Sequence, residues 1–110
     1  YNPIWVDVNS TGITLFLDES NGIENKVIFI KVKNLNSYPV RLPLCNEAIT
    51  HYGTPDSEAH MVTYIDSLTS SLDIPSQSIK TIYNTGVFAS PNRTPIYYTL
   101  YGKTLRYPPQ

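Results

Sequence analysis

A chain of 110 residues with 41% apolar and 15% charged positions and a formal net charge of -1 is the size of one domain, and a single domain spanning residues 1–110 is expected. The eight basic residues are scattered, which argues against a nucleic-acid partner, since phosphate neutralisation needs clustered cations, and no apolar run approaches the roughly 20 residues of a membrane-spanning helix. The lone cysteine excludes an intramolecular disulfide, so stability has to come from packing.

Periodicity is two nearly everywhere, which predicts an all-β chain. "PIWVDV", Pro3 to Val8, reads as a strand with Ile4, Val6 and Val8 on one face and Trp5 on the other. "GITLFLD" follows, with Ile13, Leu15 and Leu17 alternating against Thr14 and Phe16, and "ESNGIEN" carries an Asn-Gly turn signal because both residues tolerate positive φ.

"KVIFIKVKN" is the clearest strand, placing Ile28, Ile30 and Val32 on one face, and it belongs at the centre of a sheet. In "YPVRLPL" the prolines at 39 and 43 lack ladder donors, which predicts an edge strand, or one paired only on its other side. "MVTYIDSL" gives a strand from Met61. "SLDIPSQSIKTIYN" sets Leu72 and Ile74 before a Pro-Ser-Gln-Ser turn and Ile79 and Ile82 after it. The last run, "TPIYYTLYGKTLRY", alternates Ile96, Tyr98 and Leu100 against Tyr97, Thr99 and Tyr101, with Gly102 as a bulge. Seven to nine short strands separated by turn signals describe an antiparallel β-sandwich.

Charged residues fall well below the roughly 25% typical of soluble proteins, and nine tyrosines with many Thr, Ser and Asn finish the surface instead. That composition, with the sequons "NST" at Asn9 and "NRT" at Asn92 as possible glycosylation sites, points to an extracellular or cell-surface protein. The chain opens at Tyr1 rather than Met, as expected of a processed or excised form, so the lack of a signal segment decides nothing about export.

Chemistry-bearing residues crowd into "LCNEAITHYGTPDSEAHM", which holds Cys45, His51, His60 and Met61. By composition these are the ligands of a blue-copper centre. Their order is not that of cupredoxins, which gather Cys, the second His and Met in one short late loop. Adjacent strand residues also point to opposite faces, which separates His60 from Met61. A polar loop carrying both histidines, with Cys45 ending an edge strand and Met61 in the core, is the preferred reading, and a metal-binding or electron-transfer protein is the alternative. No cofactor is expected. The acid pairs Asp18 with Glu19 and Asp56 with Glu58 lack a calcium-loop register, and no motif supports an enzyme. The C-terminal tyrosines Tyr97, Tyr98, Tyr101 and Tyr107 are the candidate contact surface, because Tyr supplies rigid area with a polar tip.

The order "VIFIKVKNLNSYPVRLPL", then "LDIPSQSIKTIYNTGVF", then "PIYYTLYGKTLRY" resembles small immunoglobulin-like domains of prokaryotic surface proteins, such as CARDB modules and water-stress sandwiches of the late-embryogenesis-abundant type. The composition is also similar to that of extracellular proteins of archaea living in hot acid. The resemblance implies an immunoglobulin-like sandwich, and fold alone does not give function. The expected function is a non-enzymatic module acting by protein-protein contact, adhesion or assembly, with a protein or a second copy as partner.

Overall fold

The apolar alternation of "KVIFIKVKN" builds the strand around which everything else is arranged. The structure, a computed structural model, describes residues 2–21, 26–43, 45, 47–54, 57–64, 71–88 and 95–107. Among these there is no helix. A two-residue strand, β1 (Ile4–Trp5), precedes nine longer ones: β2 (Ile13–Asn21), β3 (Lys26–Asn34), β4 (Val40–Pro43), β5 (Glu47–Thr54), β6 (Ser57–Tyr64), β7 (Ser71–Ile74), β8 (Ile79–Phe88), β9 (Pro95–Leu100) and β10 (Lys103–Arg106).

They form three sheets, ordered β2-β3-β8, β1-β4-β7 and β10-β9-β5-β6. Every pairing is antiparallel except β1 with β4, which is parallel. As expected, β3 is central, and its residues Ile28, Ile30 and Val32 are fully buried. Ile28 and Ile30 pack with Leu17, Ala48, Tyr98 and Leu100. Val32 packs with Val8, Val40, Leu42 and Ile74. Leu15, Ile82 and Tyr101 touch both clusters, so the core is continuous. The chain is therefore an all-β sandwich in which β2-β3-β8 is one layer and the two other sheets, end to end, are the second.

That end-to-end layer follows from the chain path. β4 leads into β5, and the return strands β6 and β7 pair with them in reverse order, from Thr54 opposite Ser57 to Val40 opposite Ile74. The result is one long interrupted hairpin in a molecule of 47 × 27 × 27 Å.

Four expectations need correction. β4 is flanked on both sides, by β1 and β7. On the β1 side it acts mainly as acceptor: Ile4 N–H donates to the Pro39 carbonyl at 3.1 Å and Val6 N–H to the Arg41 carbonyl at 2.9 Å. The N–H groups missing at Pro39 and Pro43 thus fall toward β1 and bracket it, which is why that strand ends after two residues. Second, the predicted strand Pro3 to Val8 shrinks to Ile4–Trp5. Val8 is buried within a turn closed by Ser10 N–H to the Asp7 carbonyl and Asn9 N–H to Asp7 Oδ1. Third, the final run is a hairpin: Leu100 pairs with Lys103, and the intervening Tyr101 and Gly102 have φ of 54° and 72°. Positive φ at both loop residues marks a type I′ turn rather than a bulge. Fourth, the strand expected from Met61 begins at Ser57 and ends at Tyr64, the later part of the prediction lying outside the described residues. The Asn-Gly turn signal also falls at that limit, since Asn21 ends β2 and Gly22 is outside the described residues.

Candidate contact surface

The crowded stretch is strand, not loop. His51 lies within β5 directly opposite His60 of β6, and Met61 stands opposite Thr50. The reading of both histidines on a polar loop is therefore corrected, because β5 and β6 continue pairing through them. The side chains of Cys45 and His51 are held by different partners. Cys45 Sγ donates to the Glu47 carbonyl at 3.0 Å and accepts from Tyr101 N–H at 3.4 Å. The His51 ring stacks on Tyr97 with centroids 4.0 Å apart, and its Nε2 lies 3.4 Å from Thr99 Oγ1. Among the described residues no three His, Cys, Asp or Glu side chains converge. The depression beside Cys45, between Ile49, Thr99 and Tyr101, measures only about 120 Å³, below the roughly 300 Å³ of the smallest usual ligand pockets.

The four C-terminal tyrosines do not share one exposed face. Tyr98 is fully buried and belongs to the core, which corrects its assignment to a contact surface. Alternation along β9 carries it inward with Leu100. Tyr97 lies between His51 and the Arg106 guanidinium, 5.5 Å from its ring. The Tyr101 hydroxyl donates to the Pro43 carbonyl at 2.7 Å and accepts from Cys45 N–H at 3.1 Å, and burial raises its pKa. Tyr107 packs against the core. Burial first, and then its hydrogen bond and charge contact with Glu19, push its pKa up to about 12.

The two acids at the end of β2 also diverge. Asp18 accepts from Lys31 Nζ at 2.5 Å, whereas Glu19 stands opposite the buried Ile28. Glu19 thus places a charge on the core-facing side of β2, an edge strand. Lys80, opposite the buried Val32, does the same on β8, the other edge. Inward-pointing charges on edge strands oppose the addition of another strand. Both long edges of this layer therefore carry such a charge, and the prolines of β4 limit pairing at β1.

At one end of the sandwich residues 10–12, 34–39 and 75–78 meet. It is held by buried Asn34, whose Nδ2 donates to the carbonyls of Tyr38, Ile74 and Pro75 and whose Oδ1 accepts from Asn36 N–H. Gln77 Nε2 donates to the Leu35 carbonyl at 2.6 Å, and Ser76 Oγ to the Asn36 carbonyl at 2.9 Å. Gly12 is required here: its φ is +81°, and a Cβ would meet Asn36 Oδ1 at 2.5 Å. The large apolar side chains that the described residues leave exposed are Leu35 and Tyr38 on this frame, Ile4 beside Pro39, Ile79 next to Ser78, and Trp5 on the outer face of β1-β4-β7 opposite Arg41. The sequence carries no signal for this surface, since Ile4 and Ile79 fit the alternation of ordinary strands. The Asn9 side of the same end is also exposed, while Asn92 lies outside the described residues.

No family model matches the chain, and neither the curated proteins nor the solved structures compared with it contain a match.

Proposed function

We propose that this chain is an exported, non-enzymatic immunoglobulin-like module that works by contact, in adhesion, protein binding or assembly, through the apolar end of its sandwich. The observation that carries the reading is the exposure of Leu35 and Tyr38 on the turn that Asn34 rigidifies, with Ile4 exposed beside Pro39 and Ile79 exposed next to Ser78. Exposed large apolar side chains collected in one region mark interaction sites, and a preorganised frame lowers the entropy lost on binding. The immunoglobulin-like reading is supported by strand pairing. β3 with β8, β5 with β9 and β9 with β10 follow the B–E, C–F and F–G pairings of that fold.

The alternative, a metal-binding or electron-transfer protein using Cys45, His51, His60 and Met61, gains no support among the described residues, where no three His, Cys, Asp or Glu side chains converge. The contact reading is tested with the labelled full chain. Saturable binding to cell envelopes of its source, or reversible self-association in sedimentation velocity, is expected. A strictly monomeric chain that binds no envelope preparation would overturn it.

A further inference from the structure

Three side chains form a straight row across the outer face of β1-β4-β7. Trp5 stands opposite Arg41, and Arg41 opposite Asp73. The Arg41 guanidinium lies 5.5 Å from the centre of the Trp5 ring and is fixed by two bonds to Asp73, Nε to Oδ1 at 2.6 Å and Nη2 to Oδ2 at 3.0 Å. Trp5 is nevertheless 59% exposed, so much of its indole remains available. The row crosses two strand spacings, roughly 10 Å at about 4.8 Å each, which is the length of one or two pyranose rings.

We propose that this row is a carbohydrate-binding site that takes an uncharged pyranose, its C–H face on the indole of Trp5 and its hydroxyls on Arg41 and Asp73. The inference rests on the contact reading and adds to the apolar end a second surface with a stated ligand class. Charge complementarity selects the ligand class. Arg41 and Asp73 cancel one another, so a phosphate or other anion arriving at Arg41 meets the Asp73 carboxylate, and a cation arriving at Asp73 meets Arg41. An aliphatic peptide side chain would cover the remaining Arg41 N–H donors and Asp73 lone pairs without satisfying them, which costs free energy. A sugar hydroxyl both donates and accepts, and matches a donor and an acceptor standing side by side. The flanking Pro43 and Pro75 are exposed and Pro39 half-buried; they bring no charge and hold the backbone rigid.

Because Trp5 is the sole tryptophan, its fluorescence reports on the site without interference. The full chain is titrated with soluble oligosaccharides of glucose, mannose, galactose and N-acetylglucosamine, and the same chain is applied to a glycan array. At least one saccharide is expected to give a saturable emission change. By calorimetry, Trp5→Ala should weaken its binding at least tenfold and Asp73→Asn at least fivefold, with melting temperatures recorded to show that both variants fold. Binding that survives Trp5→Ala unchanged would overturn the assignment, as would the absence of any saturable response on the array and in titration. Saturable envelope binding that no saccharide competes, or capture of a proline-rich peptide at Trp5 instead, would remove the carbohydrate inference and leave the contact reading intact. Absence of both saccharide and envelope binding, in a chain that stays monomeric, would remove both.

Discussion

The side chain of Asn34, at the end of β3, donates to the backbone carbonyl of Ile74, at the end of β7, across 3.2 Å. This bond ties the two layers of the sandwich together at the end that carries the exposed apolar residues. It is one of four bonds made by a carboxamide with no solvent exposure. Asn34→Ala should leave those carbonyls without their donor and cost on the order of 3 kcal/mol, since unsatisfied buried polar groups cost roughly 1 to 3 kcal/mol each. Urea denaturation checks the value. A loss below about 0.5 kcal/mol would mean that the network is incidental to stability.

Tyr101 should show a different balance. Its backbone has a φ of 54°, where an ordinary residue loses roughly 1 to 2 kcal/mol relative to the right-handed region. Its hydroxyl offsets this by joining Pro43 to Cys45. Tyr101→Phe keeps the backbone cost and loses both bonds, and should destabilise by about 1 to 3 kcal/mol. Tyr101→Gly is expected to be no worse than Tyr101→Phe only if turn strain outweighs the loss of the ring. Chemical denaturation of the two variants separates the contributions.

Within β3 and β5, Ile30→Ala should cost about 2 to 5 kcal/mol as a large-to-small change at a fully buried site. His51→Ala should cost about 0.5 to 1.5 kcal/mol through loss of the Tyr97 stack. Thermal melts with and without added copper or zinc provide the control. An effect of His51→Ala that appears only with metal would revive the metal-binding alternative.

Most of the layer structure was legible from apolar alternation: Ile13, Leu15 and Leu17, then Ile28, Ile30 and Val32 face inward as their spacing requires, whereas Tyr98, assigned to the contact surface, is buried with Leu100. Pairing was less legible. The prolines of β4 correctly signalled missing donors, but a parallel partner can use carbonyl acceptors beside them, so the strand is central rather than an edge. Tyr101-Gly102 resembles a bulge because Tyr rarely adopts positive φ, and the hydroxyl contacts that hold it lie in residues 43 and 45. The histidines resembled a loop because polar residues surround them. The contact end was hidden for the opposite reason: Ile4 and Ile79 fit a strand pattern, yet Ile4 lies on a two-residue edge strand and Ile79 stands opposite Lys33 on the outer face of its sheet.

Tyr107 provides a test in alkali. Its pKa is raised from 10.0 to about 12, so the folded state holds the phenolic proton more tightly than the unfolded state. The associated stabilisation is complete below pH 10.0, the unfolded value, and is lost as pH rises toward 12. Phenolate absorbance should show one tyrosine titrating near pH 12, and Glu19→Gln should move it downward by removing the adjacent charge. Titration of Tyr107 near pH 10.0 in the native protein would contradict the packing assigned to it.

The measurement closest to the central claim compares envelope binding by the wild-type chain with that of Leu35→Asp/Ile79→Asp, with melting curves recorded for both. Both positions are exposed, so the fold should hold and the melting temperatures should agree, while the added charges make the apolar end unfit for contact. Binding at least about tenfold weaker, or about 1.4 kcal/mol, is the expected result. Equal binding by a folded double variant would contradict the account, and would move the contact surface away from the Asn34 end of the sandwich.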